Sequence, residues 1–125
     1  MKYLCLAYEE ESVLNDLSSE EWAALRQETL DYVEGLRERG TLLEARALQS
    51  ARRASTVQVR EGSPVVIDGP FAETKEQLGG FFLLEVADHD EAIRIARGWP
   101  GARVGTIEVR PIEEELPADT RYPGE

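Results

Sequence analysis

The chain carries one cysteine, one histidine and one methionine in 125 residues, and its basic side chains are few, 14 against 25 acidic ones. A single cysteine, Cys5, excludes a disulfide framework and a cysteine-based metal site. Its place in an apolar run marks it as a buried structural thiol. A single histidine, His89, leaves no cluster of metal ligands, and its position between Asp88 and Asp90 at a helix start reads as a solvent-facing cap residue. The formal charge of -11 sets the surface against a nucleic-acid backbone or an anionic membrane, so neither is expected as a partner. No apolar run is long enough to span a bilayer, and MKYLCLAYEEE runs into three glutamates, unlike a signal peptide. A cytoplasmic protein is expected. GxGxxG, Walker, GxSxG and CxxC patterns are missing, which removes nucleotide binding, serine hydrolysis and zinc chemistry by those routes. No cofactor and no metal are expected.

What is present is enough for one domain with a real core. Lys2 to Tyr8 reads as a strand with apolar residues on both alternating sets: Tyr3, Cys5 and Ala7 on one face, Leu4, Leu6 and Tyr8 on the other. Glu9 to Leu17 reads as a polar connection. Ser18 with Glu21 then forms a capping box that opens a helix running to about Arg39, with Gly40 as its stop. Its inward stripe is Trp22, Leu25, Thr29, Tyr32 or Val33, and Leu36, so Thr29 interrupts an otherwise apolar face. A second strand is predicted in Thr41 to Gln49. Ser55 to Arg60 and Pro64 to Asp68 form a hairpin about a Gly-containing turn. Phe81 to Val86 is a strand apolar on both faces and central in its sheet. Asp88 with Glu91 opens a second helix that Pro100-Gly101 ends, and Thr106 to Ile112 is the last strand. The domain is expected over residues 1–112, with 113–125 a flexible acidic tail.

Apart from the hairpin, the order is β-α-β-β-α-β, a ferredoxin-like α+β arrangement in which two helices cover one face of an antiparallel sheet. The other face, fed by the second apolar sets of the first strand and of Phe81 to Val86, needs cover that this chain cannot supply. A homodimer through that sheet face is the expected solution.

Between the hairpin and the central strand lies DGPFAETKEQLGG, residues 68–80. Asp-Gly followed by Pro turns the chain, and Gly79-Gly80 lets backbone pass close to something bulky. Together with FFLLEV, DEAIRIA and the closing GTIEVRPI, this stretch resembles the YCII-related proteins, and specifically the branch named for its DGPF motif. The resemblance runs from MKYLCLAY to VRPI and implies a dimeric α+β barrel. It implies small bacterial proteins of mostly unassigned activity, some of them encoded beside sigma factors of the extracytoplasmic-function type. It also implies a cleft where the wider family carries a histidine on the first helix and an aspartate near the end of the second as an acid-base pair. The matching positions here are Thr29 and, at or beside the second, Trp99. Neither titrates near neutral pH as a proton acceptor, so that pair is absent.

The candidate ligand-binding residues are therefore Thr29, Asp68, Gly69, Pro70, Phe71, Lys75 and Trp99, in a cleft with Tyr3 or Tyr8 and Phe82 that would hold a small, largely apolar molecule. Asp68 and Glu73 are the candidate carboxylates for a lyase- or isomerase-like reaction, with Lys75 and Glu76 beside them. The plainer roles are Asp68 as a turn cap that accepts backbone N–H groups, Lys75 in surface ion pairs and Phe71 as a core plug. Arg46, Arg52 and Arg53 read as solvated or ion-paired cations. A third possibility is a protein-interaction module linked to sigma-factor regulation, its acidic tail meeting a basic partner.

Overall fold

A computed structural model describes residues 1–114, so most of the expected acidic tail lies outside the described residues. In chain order the elements are β1 (Lys2–Glu9), α1 (Glu11–Asn15), α2 (Ser19–Glu38), β2 (Leu42–Ala47), β3 (Ser55–Arg60), β4 (Ser63–Asp68), β5 (Gln77–Glu85), α3 (His89–Gly98) and β6 (Gly105–Pro111). Short 3-10 turns at Ala51–Arg53 and Pro100–Arg103 complete them. The main sheet has the order β2-β5-β1-β6, all antiparallel, and β3 pairs only with β4. This is the ferredoxin-like arrangement with an inserted hairpin. The two strands apolar on both faces, β1 and β5, occupy the centre. No helix among the described residues is long and apolar enough to cross a membrane.

Alternation along β1 builds the core. Tyr3 and Cys5 lie opposite Leu84 and Phe82 of β5, and against them pack Leu36 of α2, Leu42 of β2, Ala92 and Ile95 of α3, and Trp99. Burial pushes the Cys5 thiol up to about 12, which makes it a packing group rather than a nucleophile. The opposite alternating set pairs Leu4 with Leu83 and Leu6 with Phe81 on the face turned away from this core, where all four are only partly buried.

The helix signals act as the sequence implies. Ser18 accepts the Glu21 N–H at 3.0 Å and Glu21 accepts the Ser18 N–H at 2.9 Å, closing both halves of the capping box. Gly40, at φ +73°, takes the left-handed conformation that ends α2. Asp88 caps α3 by accepting the Glu91 N–H. Glu61 and Gly62, both at positive φ, form the two-residue hairpin turn between Arg60 and Ser63.

Four expectations are corrected. The connection after Glu9 contains α1, held through the Glu11 carboxylate, which accepts the Ala51 N–H at 2.8 Å and the Ser50 hydroxyl at 2.9 Å. β5 begins at Gln77, so Gly79-Gly80 lies within the strand and not in the loop: Ala7 faces Gly80, Tyr8 faces Leu78, and Gly79 is the extra residue of a bulge. Phe71 is no core plug, being 79% exposed, with no element of the described residues packed over it. Among the described residues the Asp68 carboxylate accepts no backbone N–H. The loop is closed instead by Gly69, whose N–H donates to the Ala54 carbonyl at 2.7 Å and whose carbonyl accepts the Thr56 hydroxyl at 2.9 Å.

Candidate functional site

Two residues past Ala7, the same alternation that buries Tyr3 and Cys5 delivers Glu9 to the helix-covered face. There the sheet and α2 diverge and leave a cleft of about 500 Å³. Trp22, Leu25, Thr29 and Val33 of α2 form one wall; Glu9, Gly80 and Phe82 belong to the sheet side, and Trp99 follows from the end of α3. The bulge in β5 admits the carboxylate. A Cβ on Gly79 would collide with the Glu9 side chain, and one on Gly80 would sit 2.7 Å from the Arg46 carbonyl oxygen. The bulky neighbours implied by the double glycine are thus a side chain on one residue and backbone on the next.

Glu9 is the polar centre of this cleft. It is partly buried, and among the described residues its carboxylate has neither hydrogen-bond donor nor ion-pair partner. Burial, and then the negative charge of Glu11, hold its pKa above the ordinary carboxylate value. Glu11 is shifted the opposite way, lowered first by the Ala51 N–H and then by the Ser50 hydroxyl, so it stays charged beside Glu9. The other charged residues lining the cleft are Arg26 and Arg37 of α2 and Arg46 of β2, the last paired with Glu44 at 3.0 Å.

The aromatic wall is rigid. Trp99 stacks on Phe82 with ring centroids 3.7 Å apart and planes 4° from parallel, and Tyr32 meets it edge-on at 5.8 Å. The Tyr32 hydroxyl donates to the Ile95 carbonyl at 2.7 Å, tying α2 to α3 behind the cleft. Trp22, 47% exposed, stands over the cleft from the first turn of α2.

The residues singled out in the sequence divide among three places. Thr29 and Trp99 line the cleft with Tyr8 and Phe82, although the Thr29 hydroxyl donates to the Leu25 carbonyl at 2.9 Å within its own helix. Pro70 and Phe71 line a separate open hollow of about 1110 Å³ with Tyr8, Thr56 and Leu78. Glu73 and Lys75 line a third, of about 540 Å³, with Glu10, Glu11 and Arg52. Asp68 and Gly69 line none of these, and Tyr3 belongs to the core. Glu9 was missed because it was read as the start of a polar connection. The available signal was its parity with Tyr3, Cys5 and Ala7.

Comparison with known proteins bears on the fold. An uncharacterized protein of Rhizobium meliloti (strain 1021) is 37% identical over 121 residues, covering 95% of this chain and 98% of its own length. A solved structure of similar fold is 5-chloro-2-hydroxyhydroquinone dehydrochlorinase from Burkholderia phenoliruptrix AC1100, in complex with 2,5-dihydroxybenzoquinone. Its TM-score is 0.56 at 16% identity, over 95% of this chain and all of that one, which establishes a shared α+β fold and nothing about chemistry. Residues 1–115, the whole of the described fold, match the YCII-related domain, and the chain therefore belongs to the YCII-related family.

Proposed function

We propose that the protein binds a small ring-bearing molecule in the cleft between α2 and the sheet, one per protomer of a homodimer. The observation that carries this is the cleft itself: aromatic side chains on both walls, a volume suited to one small molecule, and a carboxylate without a partner among the described residues. That a chain of the same fold is known in complex with a small quinone is consistent with it by analogy of fold alone. Both tryptophans of the chain line the cleft, so binding has a built-in optical reporter. A panel of phenols, quinones and aromatic ethers is expected to contain compounds that quench this fluorescence and raise the melting temperature, as any ligand of the native state must. Thr29→Trp, which fills the cleft from α2, should abolish both responses. A panel that moves neither signal in the wild type sinks the reading.

The dimer rests on a different observation. Leu4, Leu6, Phe81 and Leu83 form an apolar patch on the sheet face opposite the core, and the β3–β4 ribbon stands apart with Val57, Val59 and Val66 at 64%, 60% and 65% exposure. A two-stranded ribbon has little stability of its own, and a second copy related by two-fold symmetry covers both surfaces at once. Sedimentation equilibrium should give a dimer for the wild type and a monomer for Leu83→Glu, and a monomeric wild type at micromolar concentration would rule the dimer out. The Asp68-Gly-Pro-Phe sequence places the chain with the DGPF branch in this reading. The carboxylates of that loop are not assigned a reaction, because neither Asp68 nor Glu73 reaches the cleft.

A further inference from the structure

Resting on the ligand cleft proposed above, we infer that Glu9 is the acceptor that binds a ring hydroxyl there, so that the ligand is a neutral hydroxylated aromatic or quinonoid ring and not an apolar ring alone. Three observations point the same way. The side chain enters the cleft only because the bulge in β5 puts glycine at position 79, where any Cβ would collide with it. Once there, the partly buried carboxylate has no donor and no ion-pair partner among the described residues, and its oxygens stay open to the cleft. A donor supplied by the ligand completes it. Trp22, 47% exposed, offers apolar ring surface to a ligand bearing that donor, and the buried Phe82–Trp99 stack backs the cleft.

Charge selects the kind of donor. Glu9, with Glu11 behind it, disfavours an anionic group at that end of the cleft, while Arg26 and Arg37 along α2 disfavour a cation entering past them. A hydroxyl is neutral and donates. Glu9 is raised in pKa by its burial and by Glu11, and a hydrogen bond received by its charged form would lower it again on binding.

The experiment compares resorcinol with 1,3-dimethoxybenzene, rings of the same substitution pattern of which only the first donates. Binding is followed by tryptophan fluorescence in the wild type and in Glu9→Gln. The wild type is expected to prefer resorcinol by at least about tenfold, the worth of a charge-assisted hydrogen bond in a partly dry site. Glu9→Gln, whose amide is a weaker acceptor, should reduce that preference to about threefold or less, with the ether bound equally well by both proteins. An undiminished preference in the variant, or no preference in the wild type, overturns the assignment of Glu9 while leaving the cleft reading intact. If neither compound binds the wild type, the assignment of Glu9 falls, while the cleft reading stands or falls with the wider panel. Carbon-13 NMR of the Glu9 carboxyl in the unmutated protein gives a second readout: resorcinol should lower its pKa, and saturation without any change in that pKa would also overturn the proposal.

Discussion

Gly79 and Gly80 are adjacent, both within β5, and alanine at each should produce opposite results. At Gly80 the new methyl would sit 2.7 Å from the Arg46 carbonyl oxygen and 3.4 Å from the Ala47 Cα, both backbone of a paired strand. Neither can retreat without opening the β2–β5 ladder, so overpacking costs about 1–3 kcal/mol. For a chain of this length that is a fall in melting temperature of roughly 4–12 °C. At Gly79 the three atoms nearest the methyl all belong to the Glu9 side chain, which is flexible and can rotate away toward solvent. The change of rotamer costs about 0.5–1.5 kcal/mol, and the reduced backbone freedom of the unfolded chain returns about 0.4–1 kcal/mol, so the net change is close to zero. Gly79→Ala should therefore melt near the wild type yet return the Glu9 pKa toward the ordinary carboxylate value, because the carboxylate has left the cleft. Thermal denaturation of both variants, with an NMR titration of Glu9, decides the matter. If Gly80→Ala melts with the wild type, or if Glu9 titrates unchanged in Gly79→Ala, the account of the bulge is wrong.

Three further outcomes follow from the same geometry. Because the folded pKa of Glu9 is raised, its contribution is most favourable below the unfolded carboxylate value and is lost as pH rises through the folded one. Glu9→Gln should accordingly melt above the wild type at neutral pH, the difference shrinking as the medium is acidified below the usual carboxylate range; equal melting at all pH values would contradict the burial of its charge. Cys5 should react with a thiol reagent only as fast as the protein unfolds, so that labelling in native buffer and in denaturant differ by orders of magnitude, and rapid native labelling would mean that β1 is not central. Tyr32→Phe, which leaves the Ile95 carbonyl without its 2.7 Å donor, should lose about 1 kcal/mol in chemical denaturation while leaving the cleft walls in place.

The local signals in the chain were sufficient for most of the architecture. Period-two apolar runs mark β1 and β5 as central, the Ser18 and Asp88 caps start α2 and α3, and Gly40 and Glu61-Gly62 end an element and turn a hairpin through backbone conformations that few residues adopt. These follow from chain-local sterics and hydrogen bonding, which neighbours along the chain dictate. Where pairing between distant strands decides, the sequence was silent or misleading. Glycines have low strand propensity, so Gly79-Gly80 read as loop, yet the Gly79 carbonyl accepts the Leu48 N–H at 2.8 Å and both residues belong to β5. Phe71 read as buried because it is large and apolar, and only the path of the neighbouring elements leaves it uncovered. The loop bearing Asp68 is the most distinctive stretch of the chain, but it lies apart from the cleft where Thr29, Trp99 and Glu9 meet. The sequence by itself determined the two long helices, the strands apart from the start of β5, and which face of each is apolar. Only the tertiary structure brought a glutamate nine residues into the chain against a glycine seventy residues later, because the register of β1 on β5, and the bulge within it, is a property of two strands and not of either one.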